Sequence, residues 1–470
     1  MNYFSLLYLG IFSLLISILS FFNIIYSYYF NLYLNIDSYL YSLLVSLLIG
    51  LIFLIKKKNN IKVSIYQKIL TVISGYFILP LIISIPFYFS IYNISFLDSY
   101  FESISGFTST GFTIFDNIKH LDESLILWRS SSQWIGGLYF LFSIILLIDI
   151  FDNNLKKSLT NFLSFNTSEI LKQSSKILIL YIILTFCIFL VFKISHFRSF
   201  VSFNLSMSLI SSGGFLPINN LSSVINSNTK EIIFSLLMLV SFFSIFLTYN
   251  LFFFKSKNLN FFQEDIYLFF YLIFIVALSF LFLNYNYDYD FSLTLLSLTS
   301  SISNIGISLD KSPQNLSVFF LILSIIGGSF FSTSSGIRFL KIYALFKFSI
   351  NDLISHAKPK NVFLNKNLLL DTSFEKTEIY KYFLSILIFI ISLLVLTSLL
   401  TISQVSFENS FKLSILTLMN TVNSSMHDLN AFDFENLHFF TKYYLIIFMI
   451  IGRVELISLL IIFKKFLFKS

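Results

Sequence analysis

The chain has 470 residues, 56% hydrophobic and only 12% charged, with a mean hydropathy of +0.83, whereas soluble domains carry about a quarter charged residues. These proportions define an integral membrane protein and exclude a soluble enzyme, a disordered regulator or a nucleic-acid binder as whole-chain readings, despite a net charge of +7. The single cysteine, Cys187, lies in an apolar run, so no disulfide forms within the chain.

Crossing a bilayer takes roughly 20 mostly apolar residues as a helix. Such runs occur at about 4–27, 38–55, 69–93, 124–149, 177–192, 231–254, 265–283, 316–337, 382–402 and 440–463, which predicts ten spans. The first run lacks a basic start and a small-residue cleavage site, so it is read as a helix rather than a leader. Lys56, Lys57 and Lys58 mark a cytoplasmic loop. With both termini then inside, Lys156, Lys157, Lys172, Lys176, Lys255, Lys257, the stretch Arg338–Lys381, and Lys464, Lys465 and Lys469 all fall on the inner face. The basic excess is therefore the positive-inside signature, and the lipid bilayer is the first partner.

Four outer connections are Ser/Thr-rich and long enough for a short helix and an extended stretch. They read FESISGFTSTGFT at 101–113, NLSMSLISSGGFLP at 204–217, LLSLTSSISNIGIS at 295–308 and SILTLMNTVNSSMHD at 414–428. Aligning Gly111, Gly214, Gly306 and Ser425 gives a loose repeat of about a hundred residues. Non-helical backbone at membrane depth survives only where it lines a water-filled path or is buried in protein. Ser, Thr and Gly also serve close helix packing, but four segments in register favour one central pore. Glycine accepts the positive φ that turns carbonyls inward, a ring of carbonyls can replace an ion's hydration shell, and each preceding helix aims its negative end at the cavity. The implied chemistry is cation dehydration.

These segments resemble the Trk/Ktr/HKT family of potassium transporters. GFTSTGF with LWRSSSQWIGG at 127–137 is similar to that family's first filter and following helix, and ISSGGF at 210–215 to its second filter. GGSFFSTSSGIR at 327–338 resembles its interrupted third-repeat helix, and IGRVELISLLIIF at 451–463 its last-helix motif. The resemblance implies an all-α polytopic membrane fold of four membrane-pore-membrane repeats around a central pore, plus two extra N-terminal transmembrane helices. The expected division is a helix pair at 1–62 and repeats at 63–165, 166–258, 259–366 and 367–470, with filters near 108–112, 211–215, 303–307 and 422–426.

On that resemblance the ion-binding filter residues are Thr108, Ser109, Thr110, Gly111, Ser211, Ser212, Gly213, Gly214, Ser303, Asn304, Ile305, Gly306, Asn423, Ser424 and Ser425. An intramembrane gate is assigned to Gly327, Gly328, Ser332, Thr333, Ser334, Ser335 and Gly336, with Arg453 as a barrier or counter-charge beneath the filter. Residues 327–336 also fit a close-packed small-residue interface. A charge deep in an apolar span costs about 2.5–3.5 kcal/mol on insertion scales; an Arg453–Glu455 pair is the alternative, but positions i and i+2 face different sides of a helix. The fourth filter departs from the family pattern: Ser425 is read as replacing its glycine, and in plant relatives a serine at a filter glycine accompanies sodium preference.

The expected function is monovalent cation transport across the cell membrane, with potassium as substrate. Sodium-selective or sodium-coupled transport, or an accessory subunit of an ion-translocating complex, are the alternatives. Apart from Glu455, intramembrane acids and histidines look nearly absent, so no enzyme is expected. His427 and Asp428 receive no role. Neither nucleotide-binding glycine motif occurs, so no cofactor is expected in this chain. The resemblance further implies a homodimer and a cytoplasmic nucleotide-binding regulatory subunit.

Overall fold

A computed structural model describes residues 3–55, 64–151, 170–248, 263–286, 290–310, 312, 316–357, 376–429 and 432–454. The apolar runs form α1 (Tyr3–Tyr29), α2 (Ile36–Ile55), α3 (Ile65–Ser90), α5 (Glu123–Phe151), α6 (Ile170–Ile194), α9 (Gln263–Asn286) and α13 (Lys376–Ile402). These seven are long and apolar enough to cross a membrane. Three other expected spans are shorter helices over the described residues: α8 (Asn228–Phe242), α11 (Ser317–Ile325) and α15 (Phe439–Arg453).

Polar contacts mark the ends of α8 and α11. Beyond α8, the Ser244 N–H donates to Asp265 Oδ1 at 3.0 Å and the Ile245 N–H to the Phe331 carbonyl at 3.1 Å, diverting bonds that a continuous helix would use. Beyond α11, Ile326–Gly327 (β1) pairs in parallel with Ile337–Arg338 (β2), closing a loop over 328–336. Beyond α15, Val454 is extended; Glu455 and the rest of the last expected span lie outside the described residues. So do the expected boundaries at 62, 165, 258 and 366 and the lysine clusters at 56–58, 156–157, 255–257 and 464–469. Part of the predicted basic inner loop is helical instead, as α12 (Phe339–Ala357).

Four short helices, α4 (Phe96–Phe107), α7 (Ser199–Ile210), α10 (Phe291–Ile302) and α14 (Phe407–Met419), stand between longer ones. The first packs on α3 and α5, the second on α5 and α6, the third on α8 and α11, and the fourth on α13 and α15. Ser95 starts α4 by accepting a bond from the Asp98 N–H at 3.1 Å. All four have buried C-terminal halves rich in Ser and Thr. Their hydroxyls mostly bond back to carbonyls three or four residues earlier, which satisfies them without water.

Candidate functional site: a cluster of four loop segments over an intramembrane loop

The four short helices end on one another. In each case the chain leaves through a left-handed residue: Ser109 (φ 53°), Ser212 (φ 55°), Asn304 (φ 59°) and Asn420 (φ 47°). The next N–H reaches back five residues, from Thr110 to Ser105 O, Gly213 to Ser208 O, Ile305 to Ser300 O and Thr421 to Leu416 O, at 2.8–3.1 Å. This shared geometry fixes the register. Gly111, Gly214 and Gly306 follow at one equivalent position, and the fourth residue there is Val422.

The fourth segment therefore differs from expectation. Asn423, Ser424 and Ser425 lie beyond the equivalent position, and Ser425 opens a one-turn 3₁₀ helix, Ser425–His427. Its hydroxyl lies 2.7 Å from Ser308 Oγ, away from the glycine position. The misreading came from seeking a small residue where none stands; the left-handed asparagine, not a glycine, marks the register.

Val422 meets all three partners. A Cβ on Gly111 would lie 3.0 Å from both Gly214 Cα and Val422 Cβ, and one on Gly214 or Gly306 would collide with the Val422 side chain or backbone. The Val422 N–H donates to Ile305 O at 3.4 Å. Gly111 and Gly306 have φ of 81° and 78°, a conformation that strains any residue with a Cβ. Further cross-segment bonds run from Ser212 Oγ to Ser303 O (2.6 Å) and from Asn420 Nδ2 to Thr110 Oγ1 (2.9 Å). Thr108, Ser211 and Ser303 sit at the helix ends. Ser109 Oγ, Asn304 Oδ1 and Asn420 Oδ1 are buried acceptors without a partner among the described residues.

Three buried side chains brace this cluster from behind, and none was assigned a role from sequence. Glu102 on α4 accepts from Arg129 Nε on α5 at 2.9 Å, from Thr113 Oγ1 at 3.1 Å and from the Ile114 N–H at 3.0 Å. Arg129 also stacks 4.2 Å from the centre of the Phe215 ring, tying the first segment to the second. Gln133 Oε1 accepts from Ser208 Oγ (2.9 Å) and the Phe215 N–H (3.3 Å). Glu102, Glu264 and Asp265 correct the expectation that acids are nearly absent from these segments. Glu102 and Arg129 stood in the quoted motifs, and a carboxylate and a guanidinium in consecutive apolar segments were the available signal.

Below the cluster lies the loop 327–336. Its Gly327, Gly328, Ser332, Thr333, Ser334, Ser335 and Gly336 are brought together as one knot, with Gly336 at φ 83°. Arg338 Nη1 donates to Ser329 O (2.9 Å), Ser332 Oγ (3.1 Å) and Ser334 O (3.0 Å). Glu264 accepts from the Phe330 N–H (3.0 Å) and Ser329 Oγ (3.3 Å). Thr333 Oγ1 donates to Ile210 O at 2.7 Å, touching the end of α7. Arg453 Nε donates to Thr108 O, and its Nη1 to Thr333 O at 2.9 Å. One guanidinium thus joins the first segment to the loop.

His427, in the outer connection after the fourth segment, is fully buried with neither ring nitrogen partnered among the described residues. Burial, reinforced by the Lys412 charge, pushes its imidazole down from 6.5 to about 3. The folded chain keeps it neutral while the unfolded chain takes up a proton below pH 6.5, so stability falls as pH drops through 6.5 toward 3, by about 1.4 kcal/mol per pH unit in that window. Melting temperatures at pH 7.5 and 5.5 should diverge in the parent chain and converge in His427→Phe. An unchanged difference would contradict this account.

The long helices, the short buried ones and the interrupted strand of small residues define a polytopic membrane protein whose helix-loop segments meet at one centre. Residues 307–469 match the family model of TrkH, described as a cation transport protein. The chain is 24% identical to the Trk system potassium uptake protein TrkG of Escherichia coli over 88% of each chain, and 23% identical to TrkH of that organism over 81% of each. It is 25% identical to an uncharacterized cation transporter of Methanocaldococcus jannaschii over 61% of this chain and 60% of that protein, less than two thirds of its length. The fold matches the crystal structure of the potassium transporter TrkH from Vibrio parahaemolyticus, with a TM-score of 0.82, 21% identity and 98% of each chain covered. The last third of the chain thus matches a cation transport family model, and most of its length is similar in sequence and fold to Trk system potassium uptake proteins.

Proposed function

We propose that the chain transports monovalent cations across the cell membrane, potassium first, through the centre where the four segments meet. The observation that carries this reading is the shared backbone geometry: four short helices end in four left-handed residues and four equivalent N–H bonds, around orphaned acceptor oxygens. A catalytic centre would need an acid, base or nucleophile there, and this cluster offers carbonyls, hydroxyls and amides, the groups that replace a hydration shell. The relatives' potassium-uptake names support potassium over sodium. The filter residues are Thr108–Gly111, Ser211–Gly214, Ser303–Gly306 and, in the corrected register, Asn420–Val422. The loop 327–336 and Arg453 act as the gate. Repeats follow the expected division, both termini face the cytoplasm, and the protein is a homodimer on a cytoplasmic nucleotide-binding subunit.

The test is rubidium and sodium uptake into proteoliposomes holding the purified chain, each with the other ion in excess. Rubidium uptake that resists sodium is the expected result; sodium uptake that excludes rubidium would overturn the potassium assignment. Gly111→Asp places a side chain at φ 81° and 3.0 Å from the neighbouring segments, and should abolish selective uptake. Normal selective uptake by that variant would remove 108–112 from the pathway.

A further inference from the structure

The break after α8 and the intramembrane loop are closed by one another's backbone. A helix that stops in a buried setting strands its last carbonyls and the amides that follow, and here they find partners across the gap. The Ser329 N–H donates to Phe242 O at 3.0 Å, the Ser334 N–H to Ser241 O at 3.1 Å, and the Ile245 N–H to Phe331 O at 3.1 Å. The two backbones approach so closely that a Cβ on Gly328 would lie 2.2 Å from Phe242 O. Ser241, Phe242, Ser329, Phe331 and Ser334 are all at most 4% exposed.

Two consecutive acids in the first turn of α9 hold the joined segments. Glu264 takes the loop, accepting from the Phe330 N–H at 3.0 Å and from Ser329 Oγ at 3.3 Å. Asp265 takes the far side of the break, accepting from the Ser244 N–H at 3.0 Å, with the Ser329 hydroxyl beside it as well. Neighbouring positions on a helix diverge by roughly 100°, so one turn reaches two chain segments. Carboxylates in an apolar span are costly unless their oxygens are bonded, and these bonds go to the two places where helical bonding fails. We propose that Glu264 and Asp265 are positioning residues that clamp the loop and residues 241–245 onto α9 as a single unit, so that the loop is displaced only together with the end of α8. The consequence for transport rests on the reading of 327–336 as the gate: releasing the clamp then opens the pathway.

The test is amide hydrogen exchange of the full chain in nanodiscs, followed on peptides covering 241–246 and 328–334, with peptides from α1 and α2 as controls. Among the described residues the Glu264 carboxylate bonds to the loop and not to 241–246, so the first peptide decides. Glu264→Ala should speed exchange in both peptides by roughly tenfold, the scale set by stranding a buried donor, and leave the controls at the parent rate. Glu264→Gln keeps an oxygen for the Phe330 N–H and should return both peptides toward the parent. If Glu264→Ala does not fold, Ser329→Ala removes only the hydroxyl contact and should give a smaller effect, again shared by both peptides. Faster exchange confined to 328–334, a rise that includes the controls, or no change in either peptide overturns the clamp. Rubidium uptake by the same variants separates it from the gate: shared acceleration with raised uptake supports both readings, whereas shared acceleration with uptake unchanged or lowered keeps the clamp and overturns the loop as gate.

Discussion

Val422→Gly should raise rubidium uptake about tenfold or more, corresponding to a barrier lowered by about 1.4 kcal/mol. The isopropyl group stands beside Gly111 and Gly214, and the Val422 backbone beside Gly306, close enough that a methyl carbon on any of the three would meet Val422 atoms within 3.0 Å. An apolar group at the centre offers an ion no oxygen to replace its water. Removing it opens the space and lets the fourth segment adopt the positive φ already seen at Gly111 and Gly306. Substituting Ser425 instead should change uptake little, because its hydroxyl faces Ser308 and Leu309. Uptake unchanged in Val422→Gly, or selectivity that follows Ser425, would show that Val422 is not the constriction.

Glu102→Ala is expected to destabilise the chain by about 3–5 kcal/mol, the usual cost of stranding one partner of a buried ion pair. Glu102 is fully buried and accepts from Arg129, Thr113 and the Ile114 backbone; without it the arginine keeps its charge beside Phe215 with no counter-ion. The first segment should loosen with it, so uptake falls together with the melting temperature. A double replacement by Met at 102 and 129 removes both charges and should recover much of the stability, since apolar replacements of buried pairs are often neutral. It should not recover uptake, because the bonds positioning Thr113 and Ile114 stay lost. Equal stability of Glu102→Ala and the parent would refute the bracing role.

Much of this architecture was legible in the residues. The apolar runs behind α1, α2, α3, α5, α6, α9 and α13 are long and uninterrupted, so burial in lipid decides their fate locally. Two of the runs end early through contacts outside the helix: Ser244 and Ile245 bond to Asp265 and Phe331, and Ile326 pairs with Ile337. A hydropathy average over the sequence registers none of these pairings. The break at 327–336 was visible because it is written in the local residues themselves, as glycines and hydroxyls. The register of the fourth segment was hidden for the opposite reason. Three glycines suggested a rule about glycine, whereas the shared feature is the left-handed exit, and Asn420 satisfies it as Asn304 does. Glu102 and Glu264 went unassigned because a lone acid in an apolar stretch reveals its role only when its donor is placed.

On the proposed reading, the bridge from Arg453 to both Thr108 and Thr333 would couple ion occupancy to loop displacement. If displacing the loop breaks the Thr333 bond, the guanidinium is freed to redistribute its charge toward Thr108, and an ion held near that carbonyl feels the change. Linkage is reciprocal: whatever free energy loop displacement subtracts from ion affinity, ion binding subtracts from the tendency of the loop to move. A filled pathway and an empty one would then differ in how readily the loop moves, with no separate sensor required.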